Sequence, residues 1–493
     1  MTDTVRVRYA PSPTGFLHIG GLRTALYNYL FARHHGGKFI LRVEDTDRAR
    51  FVEGAVEDFI QMLNWAGIEI DEGPGIDGPY GPYYQSQRLD MYAQHAQRLL
   101  DEGKAYHCFC TSERLDQMRK FQEKSKMPPK YDRTCLRLSA EEVRKNLDNK
   151  VPYVLRMKVP DNTTVHFTDL IRGEVEFTST NIDDQVLMKS DGYPTYHLAN
   201  VIDDHYMKIT HVIRGEEWVS STPKHILLYQ YFGWDIPQFA HLPLLLNSDR
   251  SKMSKRQGDV EARAYPPKGY LKEAVVNFIS LLGWNPGDER EIFTLDELIK
   301  EFSIERIHKA GAIFNLEKLN WINTQHIRRK SNEEIYSMLK DDLEKSGYSD
   351  FPRQYVMNAI GLMKERINFI HELLSFSSYF FKDPETYDPE GIKKRMTPTS
   401  KKYLADLADR LDKLEAFQHD EIEKVFRSYA GENGIKASEL IHPTRLAISG
   451  MTLGPGLFDL IAVLGKETVI RRMRHTVSNF ENILAEAMTQ IMK

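Results

Sequence analysis

The sequence predicts an α/β domain with a doubly wound parallel sheet, split by an α+β insertion and followed by an all-α half. Three observations predict it. A β–turn–α–β pattern opens the chain. The composition changes near Tyr106, and buried-strand character returns at Ile209-Thr210-His211-Val212-Ile213-Arg214. Beyond Lys255 the chain reads as mostly helical.

Val5-Arg6-Val7-Arg8-Tyr9 alternates as a strand does and stops at Ala10-Pro11. Pro11, Pro13 and Gly15 forbid regular structure and build a tight turn. Leu22, Ala25, Leu26, Tyr29 and Leu30 then recur at i, i+3, i+4, i+7 and i+8, a helix with one apolar face, ended by Gly36-Gly37. Phe39-Ile40-Leu41-Arg42-Val43 reads as the next strand. This order implies a parallel pair, the start of a Rossmann-like sheet with ligands at the carboxyl ends of its strands. The Pro/Gly turn and Glu44-Asp45-Thr46-Asp47 both fall there.

Residues 73–84 are rich in Gly, Pro and Tyr and read as an irregular excursion. Cys108, Cys110, a charged run and Pro128-Pro129 mark the insertion, which continues through strand-like Tyr153-Val154-Leu155-Arg156-Met157 and Val165-His166-Phe167 to a turn at Asp191-Gly192. The C-terminal segment keeps Val477, Phe480, Ile483, Leu484, Ala487, Met488 and Ile491 on one helical face. The boundaries are therefore 1–105 and 192–250 for the two halves of the Rossmann-like domain, 106–191 for the insertion, 251–325 for a linking region, and 326–493 for the helical remainder.

The chain has 493 residues, enough for several domains with cores that need no covalent staples. Net charge is −4, so any nucleic-acid surface must be a local patch; candidates are Arg328-Arg329-Lys330, Lys393-Lys394-Arg395, Lys401-Lys402 and Arg471-Arg472. Three cysteines in this length speak against a disulfide framework and fit a reducing compartment better. The N-terminus carries no signal or transit pattern. The longest apolar-looking stretch, residues 274–284, is broken by Asn277 and Ser280 and is too short for a bilayer. The expectation is a cytoplasmic protein.

Two segments carry the chemistry. Pro11-Ser12-Pro13-Thr14-Gly15-Phe16-Leu17-His18-Ile19-Gly20-Gly21 ends at the mouth of the first helix, where unpaired amides and the helix dipole favour phosphate. Gly20 and Gly21 let a nucleotide approach the backbone, and His18 can donate to a phosphate oxygen. Far downstream, Lys252-Met253-Ser254-Lys255-Arg256 follows the strand-like Leu242-Pro243-Leu244-Leu245-Leu246. Alone, three cations in five residues read as exposed surface. Paired with the first segment they describe a site gripping the triphosphate of ATP, suited to attack by a carboxylate on the α-phosphate. The attacking group is already ionised, so the site needs positioning and charge stabilisation rather than a general base.

These segments, with the blocks at residues 41–48, 195–205 and 212–218, resemble the bacterial glutamyl branch of class I aminoacyl-tRNA synthetases over essentially the whole chain. Gly21 stands where many class I enzymes have a second His, and Arg256 where many have Ser; both resemble the glutamyl branch. The resemblance implies His18, Lys252 and Lys255 as catalytic, with ATP on Thr14, Gly15, His18, Gly20, Gly21, Glu217, Trp218, Ser254 and Lys255. It implies glutamate on Arg8, Ser12, Glu44, Tyr196, Asn200 and Arg214. The arginines suit carboxylates and Glu44 suits the ammonium. A buried arginine rejects neutral glutamine, because it would be left unpaired.

The resemblance further implies ATP with Mg²⁺, tRNA(Glu) as partner, a monomer without membrane contact, acceptor-end binding by the insertion, stem contact by 251–325, and an all-α C-terminal anticodon-binding half. Cys108, Cys110 and Cys135 resemble a zinc knuckle. Arg137 stands where certain relatives have a His ligand, and a guanidinium does not ligate. By resemblance to a shortened relative that glutamylates a modified tRNA base, Tyr131, four residues before Cys135, is the candidate fourth ligand; buried or free thiols in a reduced protein are the alternative. A glutaminyl enzyme and a shortened tRNA-modifying relative are the rival activities. The arginines speak against the first and the long helical half against the second. A catalytically silent paralogue would lack the need for His18, Lys252 and Lys255.

Overall fold

The computed structural model describes residues 4–76, 78–253 and 260–492. They form two compact units, Met1–Ile322 and Asn323–Lys493. The division falls inside a helix, Leu316–Arg329.

In the first unit β1 (Arg6–Tyr9) and β2 (Lys38–Leu41) run parallel, with Arg6 opposite Lys38. Both are apolar and buried towards their carboxyl ends, as strands covered on two faces must be. Between them runs α1 (Ile19–His34). The single apolar face expected of this helix is corrected: burial extends to Arg23, Tyr27 and Asn28 as well. It is packed between β1 and a later helix (Lys272–Ser280), so its polar groups must find partners. Tyr27 donates to Ser280 O and Leu282 O (2.9 and 3.0 Å), Arg23 to Leu282 O and Pro243 O, and Asn28 to Ile213 O (3.1 Å).

After α2 (Ala55–Trp65) and α3 (Leu89–Asp101) the chain makes an antiparallel three-stranded sheet from β3 (Ala105–Cys108), β4 (Val154–Met157) and β7 (Val186–Met188). Two helices, α4 (Ser112–Lys124) and α5 (Ala140–Asp148), lie between β3 and β4. Tyr153 is left outside β4 and exposed. A hairpin of β5 (Thr164–Asp169) and β6 (Gly173–Thr178) alternates buried and exposed residues along β5.

The return begins with α6 (Tyr196–Tyr206), followed by β8 (His211–Gly215), α7 (Thr222–Phe232) and β9 (Gln238–Leu242). β8 and β9 are parallel, His211 opposite Gln238. The end of β5 pairs parallel with β9 at Asp169 and Phe239, giving the order β6–β5–β9–β8. A bond from Thr210 N–H to Arg6 O (2.9 Å) sets β8 beside β1. β9 ends at Leu242, just before Pro243, and Leu245–Leu246 forms a separate short strand, so the continuous strand expected over residues 242–246 is broken where proline cannot donate.

The second unit is helical throughout its described residues. Ser331 with Glu334 and Thr397 with Ser400 cap two of its helices in capping boxes. Arg472, buried in Lys466–Ser478, donates to Tyr379 O and Ile448 O (2.7 Å each), to Lys382 O (2.9 Å) and to Asp383 Oδ1 (2.8 Å). Arg471 also pairs with Asp383. Of the basic pair 471–472, Arg472 is therefore structural, whereas Arg471 stays half-exposed beside Asp383. The last helix is Phe480–Ile491; Asn479 separates it from Val477, and Met488 on its expected apolar face is exposed. No described helix is long and apolar enough to cross a membrane.

Candidate active site

A cleft of about 660 Å³ opens at the carboxyl ends of β1, β2 and β8. The turn after β1 brings Ser12 and His18 to it, α1 brings Gly20 and Gly21, and the chain after β2 brings Glu44. α6 contributes Tyr196 and Asn200; β8 and the turn after it contribute Arg214, Glu217 and Trp218. Lys252 and Met253 line the same cleft. Thr14 and Gly15 lie in the turn leading to it but are not among its lining residues. Ser254, Lys255 and Arg256 lie outside the described residues.

The two distant segments expected to share a crevice meet at it through His18, Lys252 and Met253, and the start of α1 is tied by backbone to the chain just beyond the lysine segment. Ile19 N–H donates to Val260 O and Ala262 N–H to Leu17 O, 2.8 Å each. Met253 N–H donates to Leu245 O at 3.1 Å. His18 is the N-cap of α1, and its Nδ1 accepts Gly20 N–H at 2.9 Å. The neutral ring therefore carries its proton on Nε2, the donor required for a phosphate oxygen. Gly21 has a second reason to be glycine: a Cβ there would stand 2.5 Å from Tyr9 Oη and 3.1 Å from Leu17 Cδ1.

Beside Arg8, Glu44 and Asn200 the cleft backs onto a buried charge cluster. Asp204 accepts from Arg8 Nε (3.0 Å), Arg8 Nη2 (3.3 Å) and Arg42 Nη1 (2.6 Å). Arg42 also reaches Glu44 Oε1 (3.1 Å), and Arg88 Nε reaches Asp203 Oδ1 (2.7 Å). With its amide oxygen turned towards Arg8 Nη2 (3.3 Å) and Arg42 Nη2 (3.0 Å), Asn200 donates to Asp204 Oδ2 (3.2 Å). The opposite orientation gives it a single 3.5 Å contact with Glu44, so the first fits better. Three guanidinium groups here face three carboxylates. Burial alone would raise the Asp204 carboxyl, yet Arg8 and Arg42 hold it below the usual range; at Glu44 burial outweighs Arg42 and Arg8 and pushes it up.

Arg214 differs. It is buried, and among the described residues no carboxylate lies within ion-pair distance of it. Its neighbours are neutral: Tyr196 Oη (2.8 Å), Thr222 Oγ1 (2.9 Å), His241 Nε2 (3.1 Å) and His225 Nδ1 (3.2 Å). The Tyr196 ring lies 4.2 Å from Trp218. A buried, uncompensated guanidinium at the wall of a cleft favours an anionic ligand.

Sequence reasoning missed several residues. Arg42, Asp203 and Asp204 sit inside the blocks that carry the resemblance, and charges set against apolar runs, Leu41-Arg42-Val43 and Val201-Ile202-Asp203-Asp204, were the available signal. Lys189, whose Nζ donates to Thr46 O (3.0 Å) at the cleft, has no signal in the sequence, and neither has His241.

Away from the cleft, the Sγ atoms of Cys108, Cys110 and Cys135 lie within 4.8 Å of one another. Tyr131 Oη is 3.4 Å from Cys108 Sγ and 3.3 Å from Cys110 Sγ. Bonding with Cys135, Tyr131 and Arg156 pulls the Cys108 thiol down, while Cys108 and burial push Cys135 up. Arg137 turns away and donates to Asp132 O (2.7 Å).

Comparison with known proteins agrees with this geometry. Residues 4–321 match the family of tRNA synthetases class I (E and Q), catalytic domain, and residues 332–477 match an anticodon binding domain. The chain is 52% identical to the glutamate–tRNA ligase of Chloroherpeton thalassium, covering 97% of this chain and 99% of that protein. It is 51% identical to that of Chlorobaculum parvum, covering 95% and 97%. Among solved structures, a glutamate tRNA ligase from Elizabethkingia meningosepticum in complex with its amino acid superposes with a TM-score of 0.91 at 41% identity, covering 97% of this chain and 99% of that one. The chain belongs to the glutamate–tRNA ligase family of class I aminoacyl-tRNA synthetases.

Proposed function

We propose that the chain activates L-glutamate with ATP to glutamyl-adenylate and transfers the glutamyl group to the 3′ end of tRNA(Glu). One observation carries this: Arg214, buried without a carboxylate partner, shares a single cleft with Glu44, His18 and Lys252. Arg214 takes the side-chain carboxylate of glutamate and Glu44 its ammonium, with Arg8, Ser12, Tyr196 and Asn200 completing the pocket. The free α-carboxylate oxygen attacks the α-phosphorus of ATP. A C–O–P anhydride forms, the bond to the bridging oxygen breaks, and pyrophosphate leaves with the electron pair. His18 Nε2–H, the amides at the start of α1, and Lys252 with Lys255 stabilise the charge shifted onto the phosphates. Glu217 and Trp218 border the nucleoside. A ribose hydroxyl at the tRNA terminus then attacks the acyl carbon, and AMP leaves.

Residues 106–191 hold the acceptor end, 251–325 the stem, and 326–493 the anticodon. Mg²⁺ accompanies ATP as its complex. Zn²⁺ fits the trio Cys108, Cys110 and Cys135 with Tyr131: three clustered sulfurs and a phenolic oxygen make a four-donor set, which the metal would tie into one structural node.

Aminoacylation assays with glutamate and glutamine, on purified glutamate and glutamine tRNAs, test the reading. Charging of tRNA(Glu) with glutamate is expected, and pyrophosphate exchange that depends on tRNA. Charging with glutamine at comparable kcat/KM would overturn it, and strong exchange without tRNA would count against it.

A further inference from the structure

The residues behind Arg214 form a built arrangement that the activity above does not use directly. Asp169, at the end of β5, and His241, in β9, are both buried. Asp169 Oδ1 accepts the amides of Ile171 (3.0 Å) and Arg172 (2.9 Å), and Oδ2 lies 2.6 Å from His241 Nδ1. A carboxylate only accepts, so the proton sits on His241 Nδ1 and Nε2 is an acceptor. That lone pair faces Arg214 Nε–H at 3.1 Å. Thr222 Oγ1 accepts from Arg214 Nη2 (2.9 Å), and its own proton has two acceptors at equal reach, Trp218 O and His241 Nε2 (3.2 Å each). On the other side His225 Nδ1 accepts from Arg214 Nη1 (3.2 Å), which leaves its Nε2–H to donate to His197 Nδ1 (3.1 Å). Burial and the Arg214 charge hold both His225 and His241 below the usual imidazole range, so both rings are neutral.

We propose that Asp169 and His241 are positioning residues for Arg214, with the neutral imidazole acting as a spacer that lets a carboxylate aim the guanidinium without pairing with it. A carboxylate touching Arg214 would orient it equally well but would cancel the charge that selects an anionic substrate. Through one imidazole, Asp169 fixes the tautomer and thereby the acceptor. The charge on Arg214 stays available to the amino acid in the cleft. This rests on the reading that Arg214 binds the substrate side chain.

The test is steady-state aminoacylation by the full chain, with KM measured separately for glutamate and ATP in D169N, H241N, H241Q and R214A. Asn at 169 turns an N–H towards His241 Nδ1 and forces its proton to Nε2, donor against donor at Arg214. Asn at 241 keeps the donor to Asp169 but ends short of Arg214, whereas Gln carries an acceptor to the Nε2 position. A bond to a charged group predicts that D169N and H241N raise KM for glutamate about 10- to 100-fold, with KM for ATP changed less than about twofold. H241Q is expected to recover most of the glutamate KM lost in H241N. A purely structural role predicts no such ordering, and KM values for both substrates would move together with melting temperature; that outcome overturns the proposal. If D169N does not fold, the H241N–H241Q contrast decides alone, and equal KM values for that pair overturn it. R214A separates the two layers. If it leaves KM for glutamate unchanged, the Arg214 reading itself is wrong. If it raises that KM while D169N and H241N do not, only the positioning role falls.

Discussion

Replacing Asp204 by asparagine removes one negative charge from a balanced buried cluster and leaves its shape intact. In the parent, the carboxylate receives three bonds from two guanidinium groups, at 2.6, 3.0 and 3.3 Å. Asparagine offers one oxygen, and its N–H₂ group must point at an arginine. Three guanidinium groups then face two carboxylates in a region with almost no water access. Removing one partner of a buried pair typically costs about 3–5 kcal/mol. For a cooperative unit of 322 residues, about 1 kcal/mol corresponds to roughly 1.5 °C in melting temperature, so D204N should melt about 4–8 °C lower. Arg8, released from Asp204, also loses its fixed orientation at the amino-acid pocket, so KM for glutamate should rise while KM for ATP holds. Thermal denaturation at pH 7 followed by near-UV dichroism, with steady-state kinetics on the same sample, reads both. A melt unchanged within about 1 °C together with an unaltered KM would show that the cluster is held by packing and that the charge-balance reasoning is wrong.

G21A should destabilise the first unit by about 1–3 kcal/mol, since its Cβ would meet the Tyr9 hydroxyl at 2.5 Å. In a thermal melt, adding Y9F should recover part of that loss, and additive effects of the two changes would refute the contact. His225 folds neutral because burial, then Arg214, depresses it. Below its unfolded value near 6.5 the unfolded chain binds a proton that the folded chain does not, so stability is complete above that pH and falls as the pH drops. At pH 5.5 the loss is about 1.4 kcal/mol, and H225Q should flatten the fall in melting temperature between pH 7.5 and 5.5; an identical slope in both proteins would contradict this. Metal analysis of the purified chain should return one zinc per molecule and C135S should lose it; retention by C135S would exclude the proposed ligand set.

The sequence was most legible where local rules act alone. The β1–α1–β2 unit follows from alternation, a Pro/Gly turn and helical spacing, and all three survive in the structure with shifts of one or two residues at the ends. The residues that the resemblance proposed for glutamate, Arg8, Ser12, Glu44, Tyr196, Asn200 and Arg214, line one cleft, reached from β1 and the turn after it, the chain after β2, α6 and β8. What sequence could not supply was pairing at a distance. Asp169 and His241 are 72 positions apart and meet because β5 ends beside β9. Spacing shows one apolar face on α1, but it does not show that backbone carbonyls from residues far along the chain receive its other side chains, Arg23, Tyr27 and Asn28. A break as small as Asn479 likewise carries no periodicity signal, so two helices read as one.

The Arg472 clamp bears on where this chain can be cut. Its guanidinium terminates carbonyls that originate at 379, 382 and 448, so the penultimate helix acts as a keystone rather than an appendage. A fragment of the helical half that stopped short of residue 472 would strip the donor from three carbonyls in two separate stretches at once. Dissection of that half into an independently expressed piece should therefore keep the chain through this arginine.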